Sequence, residues 1–495
     1  MRYIIGIDVG TSGTKSALFD TEGNCIASAT EEYALSQPQN GWAEQNPEDW
    51  WRAVCKTLRE ITKKANGEIC GVGLSGQMHG LVMLDEDNKV IRPAILWCDG
   101  RSSVECCEIE KRMGRDRLIE ITANPALEGF TASKIMWVKK HEPENFARCR
   151  RILLPKDYIR FRLAGVYATE VSDASGMQLL DIKKRCWSEE ICKELEIDTD
   201  LLGEMHESPE ITGYVTKEAA ARTGLPEGIP IAGGAGDNAA AAIGTGVCAN
   251  GRAFTTIGTS GVVFAHTDTP IIDKDGRVHT FCCAVPGAWH VMGVTQAAGL
   301  SLNWFKKNLA ETLSYSEIDR QAALLPVGAE KLLYLPYLMG ERTPVLDADA
   351  RGVFFGLSAM HTKAHMARAV MEGVSYSLQS CRDVIDEMGI DTSDMAVCGG
   401  GAKSPFWRQM LSDVFGIPVK TMQSEEGPAL GAAILAGCAA GVYKSVEEGC
   451  RIAVRSGEKT EPDGELHMQY KKMYAVYRTL YPAMRTSFKA LSELC

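Results

Sequence analysis

The chain has 495 residues, 45% hydrophobic and 24% charged, an ordinary balance for a globular protein and too long for one compact core, so two or three domains are expected. Asp and Glu (64) outnumber Lys and Arg (53), and the net charge of -11 leaves no electrostatic reason to expect a nucleic acid or an anionic membrane as partner. The 17 cysteines are spread without a C-x-x-C pair, which argues against a zinc ribbon or a disulfide scaffold and fits reduced thiols in a cytoplasmic protein.

The chain starts with "YIIGIDVGTSGTKSALFD", two apolar alternating runs around a Gly-Thr-Ser-Gly turn from Gly10 to Gly13, the pattern of a β-hairpin. Asp8 interrupts the first run too early for a signal peptide or membrane anchor. In "GWAEQNPEDWW", Asn46-Pro47-Glu48 marks a helix start, and Trp42, Trp50 and Trp51 around it read as packing residues. Near mid-chain, "GAGDNAAAAIG" sets Asp237 and Asn238 alone among glycines and alanines. Two readings stand open. Asp237 is the N-cap of an alanine-rich helix, or it is a general base at the floor of a cleft that the small residues keep clear; one residue can do both.

The hairpin pattern returns in "RAFTTIGTSGVVFAH", with a second Gly-Thr-Ser-Gly turn from Gly258 to Gly261, close to half a chain further on. Two such turns, each early in its half, suggest two domains of similar plan facing each other across a cleft. Glycines let backbone N–H groups approach closely and the hydroxyls add donors, so each loop could cradle part of a polyphosphate. Neither matches the P-loop motif. Asp8 stands two residues before the first turn, where the second copy has Thr256. A single acid beside a phosphate loop suits one Mg2+. Lys15 either reaches a terminal phosphate or is a solvated strand residue.

Further along, His361 and His365 in "HTKAH" lack the Glu of H-E-x-x-H and read as surface-helix histidines. "DMAVCGGGAKSPFWRQML" runs from a strand through Gly399-Gly400-Gly401 into a helix starting near Ser404, with Pro405 in its first turn; such a turn can seat a nucleotide or be only a tight turn. "ALGAAILAGCAAGV" is shorter than the roughly 18 to 20 residues that cross a bilayer, and reads as a buried helix whose small face packs closely on a sheet. Tyr470, Met473, Tyr474, Tyr477 and Leu480 recur at helical spacing, a core-facing stripe that docks the last helix.

The motifs "GIDVGTSGTK", "GQMHG", "LWCDGR", "LPKDY", "GAGDNAA", "IGTSG", "YLPYLMGERTP", "GVFFGL", "CGGGAKSPFWRQM" and "GPALGAA", in this order, resemble those of the FGGY-type carbohydrate kinases, and within that family those of the xylulokinases, over nearly the whole chain. The resemblance implies an α/β fold of two ribonuclease-H-like domains, as in actin and hexokinase, flanking a catalytic cleft. It divides the chain into residues 1–246, with the sugar site and first phosphate loop, and 247–495, with the nucleotide site and C-terminal helix. It implies ATP-dependent phosphorylation of D-xylulose to D-xylulose 5-phosphate, with ATP and Mg2+, in the cytoplasm and as a homodimer. The alternatives are another acceptor (D-ribulose, L-ribulose, L-fuculose, gluconate, glycerol) or a binding module without catalysis, which the joint presence of Asp8 and Asp237 argues against.

Residue by residue, Asp237 matches the catalytic base, which its place at a helix start should keep ionised, and Asn238, Met78 and His79 match the sugar site. Asp8 matches the acid near Mg2+ and the transferred phosphate. Thr11, Ser12 and Lys15 match the first phosphate loop, Gly258 and Thr259 the second, and Gly399, Gly400 and Lys403 the nucleotide-binding turn. Two positions depart from the family pattern: Ala235 stands where a third Gly is frequent, and Cys98 where Asn is frequent, near the loop expected to face the sugar.

Overall fold

The computed structural model describes residues 1–494. The hairpin read at the start of the chain forms, with β1 (Arg2–Val9) antiparallel to β2 (Gly13–Asp20) in the register Asp8 opposite Lys15. They join β3 (Cys25–Glu32), β4 (Glu68–Gly76), β5 (Ile211–Tyr214), β6 (Pro230–Ala232) and β7 (Ala235–Gly236) in a seven-stranded sheet of order β5-β6-β4-β1-β2-β3, with β7 added on β4. The second hairpin forms as well, β8 (Arg252–Ile257) against β9 (Gly261–Thr267). With β10 (His279–Cys282), β11 (Trp289–Thr295), β12 (Asp394–Cys398), β13 (Val419–Met422) and β14 (Ser456–Thr460) it builds a second seven-stranded sheet, order β10-β11-β9-β8-β12-β13-β14.

The two sheets share one plan. From one edge inward, β3-β2-β1-β4-β6 and β11-β9-β8-β12-β13 have the same order, and each is extended by one more strand, β5, which precedes β6 in the chain, and β14, which follows β13. The strand directions also agree at each step, with β1/β4 and β8/β12 parallel and the outermost pairs β5/β6 and β13/β14 antiparallel. This is the duplicated α/β architecture that the twin turns suggested.

Helices cover the sheets where their sequences predict. Helix α1 (Pro47–Thr62) starts at Asn46, whose side chain accepts from the Glu48 N–H, and buries Trp50 and Trp51 against β2 and β3. Acidic residues in its first turn and Arg59 in its last suit the helix dipole. Helix α2 (Asp237–Gly244) follows β7; α3 (Gly299–Leu309) and, further along the chain, the long α4 (Lys363–Glu387) pack against each other, and α4 lies on β9 and β11. Helix α5 (Pro405–Phe415) begins at Ser404, whose hydroxyl accepts from the Trp407 N–H. The last helix, α7 (Gly464–Ser492), docks on α5 and buries Tyr470, Tyr477 and Leu480 as its stripe implies.

Helix α6 (Gly427–Ala439), the small-residue segment, lies in an unexpected place. It comes from the second half of the chain but packs on β1 and β4 of the first sheet. The approach is backbone to backbone: a methyl at Gly6 would fall 1.8 Å from the Ala429 carbonyl oxygen, and one at Gly73 equally close to that of Ala432. On its other side α6 meets α2, where a methyl at Gly431 would fall 1.9 Å from the Ala240 carbonyl oxygen. Helix α2 in turn places Ala242 in an apolar cluster with Phe254, Phe264 and Ala396 of the second sheet. The pair α2 and α6 is thus the seam between the sheets: small residues let the two helices touch where their backbones meet, and Ile243, Leu430, Ile434 and Leu435 fill the apolar cluster around that contact.

Two expectations are refined. His361 sits in the turn before α4 and accepts from the Ser358 N–H, while His365 is buried and reaches back to accept from the Thr362 N–H, so His365 helps cap the helix and His361 holds the turn ahead of it; no cluster of three or more metal-ligating side chains occurs among the described residues. Every described cysteine is free, and no described helix is long and apolar enough to cross a membrane.

Candidate active site

Asp8 and Asp237 meet at the carboxyl ends of neighbouring strands, where parallel sheets commonly hold ligands. Asp8 ends β1 opposite Ser75 of β4, and β7 pairs with the same end of β4, Ala235 with Ser75 and Gly236 with Gly76, so that Asp237 emerges one strand away from Asp8. Ser75 donates to Asp8 Oδ1 at 2.9 Å, and Asp8 Oδ2 makes no hydrogen bond among the described residues. Burial raises the Asp8 pKa above its ordinary value, opposed by the Ser75 bond and by Lys15.

The Asp237 environment corrects the cap reading. The N-cap of α2 is Gly236, and Asp237 is the first helical residue. Its Oδ1 accepts from the Asn238 backbone N–H (2.7 Å) and from the Asn238 amide (3.0 Å) rather than from donors further along the turn. Nor does the helix start keep it fully ionised: burial, and after it the neighbouring Asp8 charge, push its pKa up to about 7. A carboxylate with that pKa is half-charged at neutral pH, the range in which a general base works best.

Beside Asp237 and Asn238 lies a cavity of about 140 Å3. Met78 and His79 line it as the sequence indicates, together with Trp97, Phe130, Phe281 and Arg342. His79 occupies a left-handed backbone conformation (φ 69°), and its Nδ1–H donates to the Gly176 carbonyl at 2.9 Å, close enough that any side chain at position 176 would collide with the ring. Burial, with the nearby Lys134 charge, holds the His79 pKa well below its usual value, so the ring is neutral. Lys134 is itself fully buried and donates to three successive carbonyls, Glu128, Gly129 (2.5 Å) and Phe130, fixing the turn that forms one wall; burial brings its pKa down to about 7. Cys98 is exposed and does not line the cavity, whereas its neighbour Trp97 does. Ala235 is buried in β7 without disturbing the pairing.

The second cavity, about 730 Å3, lies on the other half of the chain. Gly258, Thr259, Gly400 and Lys403 line it, with Gly401, Ser404 and Pro405 of the same glycine turn and helix start, and among its other walls Asn303, Tyr315 and Asp319 were not marked by the sequence. Gly399 sits just behind, at φ 89°, packed so that a methyl would fall 2.7 Å from the Ile257 carbonyl oxygen. The loop carbonyls of Gly258 and Thr259 accept from the N–H groups of Ala298, Gly299 and Leu300 at the start of α3, which holds the turn against that helix. Ser260 of the same turn lines the smaller cavity, so the second Gly-Thr-Ser-Gly turn is the partition between the two.

The first turn is pinned from behind. Thr11 Oγ1 donates to Gln77 and accepts from Trp97 Nε1 (2.9 Å), and its carbonyl accepts from Gln45. Ser12 is exposed. Lys15 is paired with Glu426 at 2.8 Å, just before α6, and Lys403 with Glu425 at 3.0 Å. The structure thus brings Met78, His79, Asp237 and Asn238 to one cavity and Gly258, Thr259, Gly400 and Lys403 to another. His279 and Phe281 are additions from the second half that no local motif revealed, and Arg342 lies in the motif "YLPYLMGERTP", to which the sequence assigned no site role.

Comparison with known proteins agrees with this architecture. Residues 3–244 match the N-terminal domain, and residues 253–440 the C-terminal domain, of the FGGY family of carbohydrate kinases. The chain is 41% identical to the xylulose kinase of Bacillus subtilis (strain 168) over 484 residues, 97% of each protein. Among solved structures, it superposes on the ligand-bound xylulose kinase of Lactobacillus acidophilus with a TM-score of 0.95 at 28% identity, covering 99% of this chain and 100% of that one. The gluconate kinase of the same organism gives 0.94 at 28% identity, covering 99% of each chain. The duplicated sheets, the paired turns and these matches along both halves make the chain a member of the FGGY family of carbohydrate kinases.

Proposed function

We propose that this chain transfers the γ-phosphoryl group of ATP to the C5 hydroxyl of D-xylulose, with Asp237 as general base. The observation that carries this reading is the placement of Asp237, a carboxylate with a pKa near neutrality, in a small, mostly apolar cavity with a few convergent polar groups, divided from a larger one by a glycine-rich turn. The full-length similarity to xylulose kinases supports the choice of sugar. The chain's lobes, 1–246 and 247–495, would carry the sugar and the nucleotide respectively, with α6 crossing back to the first.

Phosphoryl transfer requires alignment of acceptor and donor and stabilisation of charge on the equatorial oxygens. The sugar lies against Met78, His79, Asp237 and Asn238, and Asp237 takes the hydroxyl proton as the new P–O bond forms. Backbone N–H groups of the two turns, at Thr11 and Ser12 and at Gly258 and Thr259, face the phosphates, and Gly399, Gly400 and Lys403 border the nucleoside. Lys15 turns from Glu426 to a terminal phosphate when one is present. Asp8 suits Mg2+: it offers one uncommitted carboxylate oxygen with no other acidic ligand required, as expected for an ion that keeps water and phosphate oxygens around it. When bound there, Mg2+ neutralises phosphate charge. Closing the lobes would exclude the water that otherwise competes for the phosphoryl group.

The test is ADP release by the purified chain with Mg-ATP and D-xylulose, D-ribulose, L-ribulose, L-fuculose, gluconate or glycerol. The highest kcat/KM is expected with D-xylulose. A higher value for another acceptor would overturn the substrate and leave the reaction; ADP release independent of any sugar would overturn the kinase.

A further inference from the structure

The cavity beside Asp237 is completed by two residues from the other half of the chain. His279, on β10, is 5% exposed and its Nδ1–H donates to Asn124 Oδ1 at 2.8 Å. The orientation of that amide is fixed because Asn124 Nδ2 donates to the carbonyls of Thr122 (2.8 Å) and Thr280 (3.2 Å). With Nδ1 carrying the proton, the Nε2 of His279 is a lone-pair acceptor, and it has no partner among the described residues. The ring is held flat against Phe281, with 5.7 Å between centroids and 4° between planes. His279 thus repeats the arrangement of His79: a ring pinned through Nδ1 at the cavity wall with Nε2 uncommitted. Burial brings its pKa down to about 3, so it stays a neutral acceptor throughout the working pH range.

Arg342 is a donor in the same wall. Its backbone is bolted to the end of β11: Glu341 Oε1 accepts from the N–H groups of Gln296 (2.9 Å) and Arg342 (2.8 Å), and the Thr343 N–H donates to the Val294 carbonyl (2.9 Å). The guanidinium, by contrast, makes no hydrogen bond among the described residues. Its Nη2 lies against the turn that Lys134 fixes, where a methyl on Gly129 would fall 3.6 Å from it. Arg342 therefore stands at the wall of the cavity that this turn forms.

We propose that His279 and Arg342 bind the end of the sugar remote from the phosphorylated hydroxyl, His279 accepting from a hydroxyl and Arg342 donating to the C2 carbonyl oxygen. The inference rests on the ketose kinase reading above. An open-chain ketose has hydroxyls along its length and a single oxygen without a proton. Two neutral acceptors and one unpartnered donor match that pattern, and a polyol presents at C2 a hydroxyl, which accepts from Arg342 only with its own proton turned away and lacks the carbonyl's planar pair of acceptor sites. The specificity of the first lobe's cavity is then partly written in the second lobe.

The test compares the D-xylulose kcat/KM with the inhibition constant of xylitol, in which the C2 carbonyl is reduced, at saturating Mg-ATP. In Arg342→Gln, kcat/KM for D-xylulose should fall about 10- to 100-fold while the xylitol inhibition constant rises by a clearly smaller factor. In His279→Phe, and in His279→Met should the former fail to fold, both sugars should bind more weakly by about 10-fold. The ATP KM should be unchanged in all of them. Equal weakening of both sugars by Arg342→Gln, or unaltered sugar binding in the His279 variants, would overturn the assignment. Turnover of D-xylulose by the unaltered chain tests the underlying reading separately: its absence removes the substrate, whereas normal turnover with indifferent variants removes only these two roles.

Discussion

Replacing Asp237 by Asn should separate what the carboxylate does for turnover from what it costs the fold. The group is driven to a pKa of about 7 first by burial and then by Asp8. In the unaltered chain kcat/KM for the sugar should therefore rise about tenfold per pH unit below pH 7 and level off above it. An Asp with its ordinary pKa would give a flat profile across that range. Asp237→Asn should lower kcat by about 10^2- to 10^4-fold with the sugar KM largely kept. The same change should stabilise the protein. Because the folded-state pKa lies above the unfolded value, the native state favours the protonated acid, and the stability present below pH 3.8 is lost as pH rises through 7. At pH 8 the penalty is bounded by roughly 4 kcal/mol for a displacement from 3.8 to about 7, so Asp237→Asn should unfold at a higher temperature than the unaltered chain at pH 8, with the gain shrinking toward pH 4. Sugar-dependent ADP release from pH 5 to 9 and thermal unfolding at the two pH extremes measure both effects. A flat pH profile, or a loss confined to KM, would refute the base assignment; equal unfolding temperatures at pH 8 would refute the buried, perturbed carboxylate.

Asp8→Ala should slow turnover and raise the Mg2+ concentration needed for half-maximal activity, measured by metal titration at fixed ATP; an unchanged titration would make Asp8 a structural residue. Gly73→Ala should destabilise the fold by about 3 kcal/mol, because the new methyl meets the Ala432 carbonyl oxygen and α6 must shift; denaturant unfolding reads the loss. Lys134→Met should raise the sugar KM with the ATP KM unaffected, since three carbonyls of the wall turn lose their donor at about 1–3 kcal/mol each where they stay buried; steady-state kinetics with each substrate varied in turn checks this.

Much of the architecture was legible because it is encoded locally. The hairpins around Gly10 and Gly258 need only alternation and a glycine turn, the starts of α1 and α5 only an Asn-Pro or Ser-Pro pair, and the last helix only its aromatic stripe. Local signals also gave Asp237 and Asn238, but not their setting. The charge state of Asp237 depends on Asp8, which the strand order brings close from the far end of the half. The partner of α6 was equally hidden, since a face of alanines and glycines fits either sheet. His279 is a strand residue with no signature of a site in its own neighbourhood, and Arg342, although inside the motif "YLPYLMGERTP", had no partner in the sequence that pointed to the sugar cavity. They become meaningful only when the two halves close one wall.

The crossing of α6 also sets a constraint on synthesis. Strands β1 and β4 leave the ribosome early, yet the helix that seals one face of their sheet ends at Ala439, nearly at the end of the chain. At about 5–20 residues per second, that face waits on the order of 20–70 s for its cover. The first lobe cannot finish folding while the rest is being translated, and its bare sheet is an obvious client surface for a chaperone. A fragment ending at residue 246 should accordingly be aggregation-prone, even though it holds most of the residues that would touch the sugar.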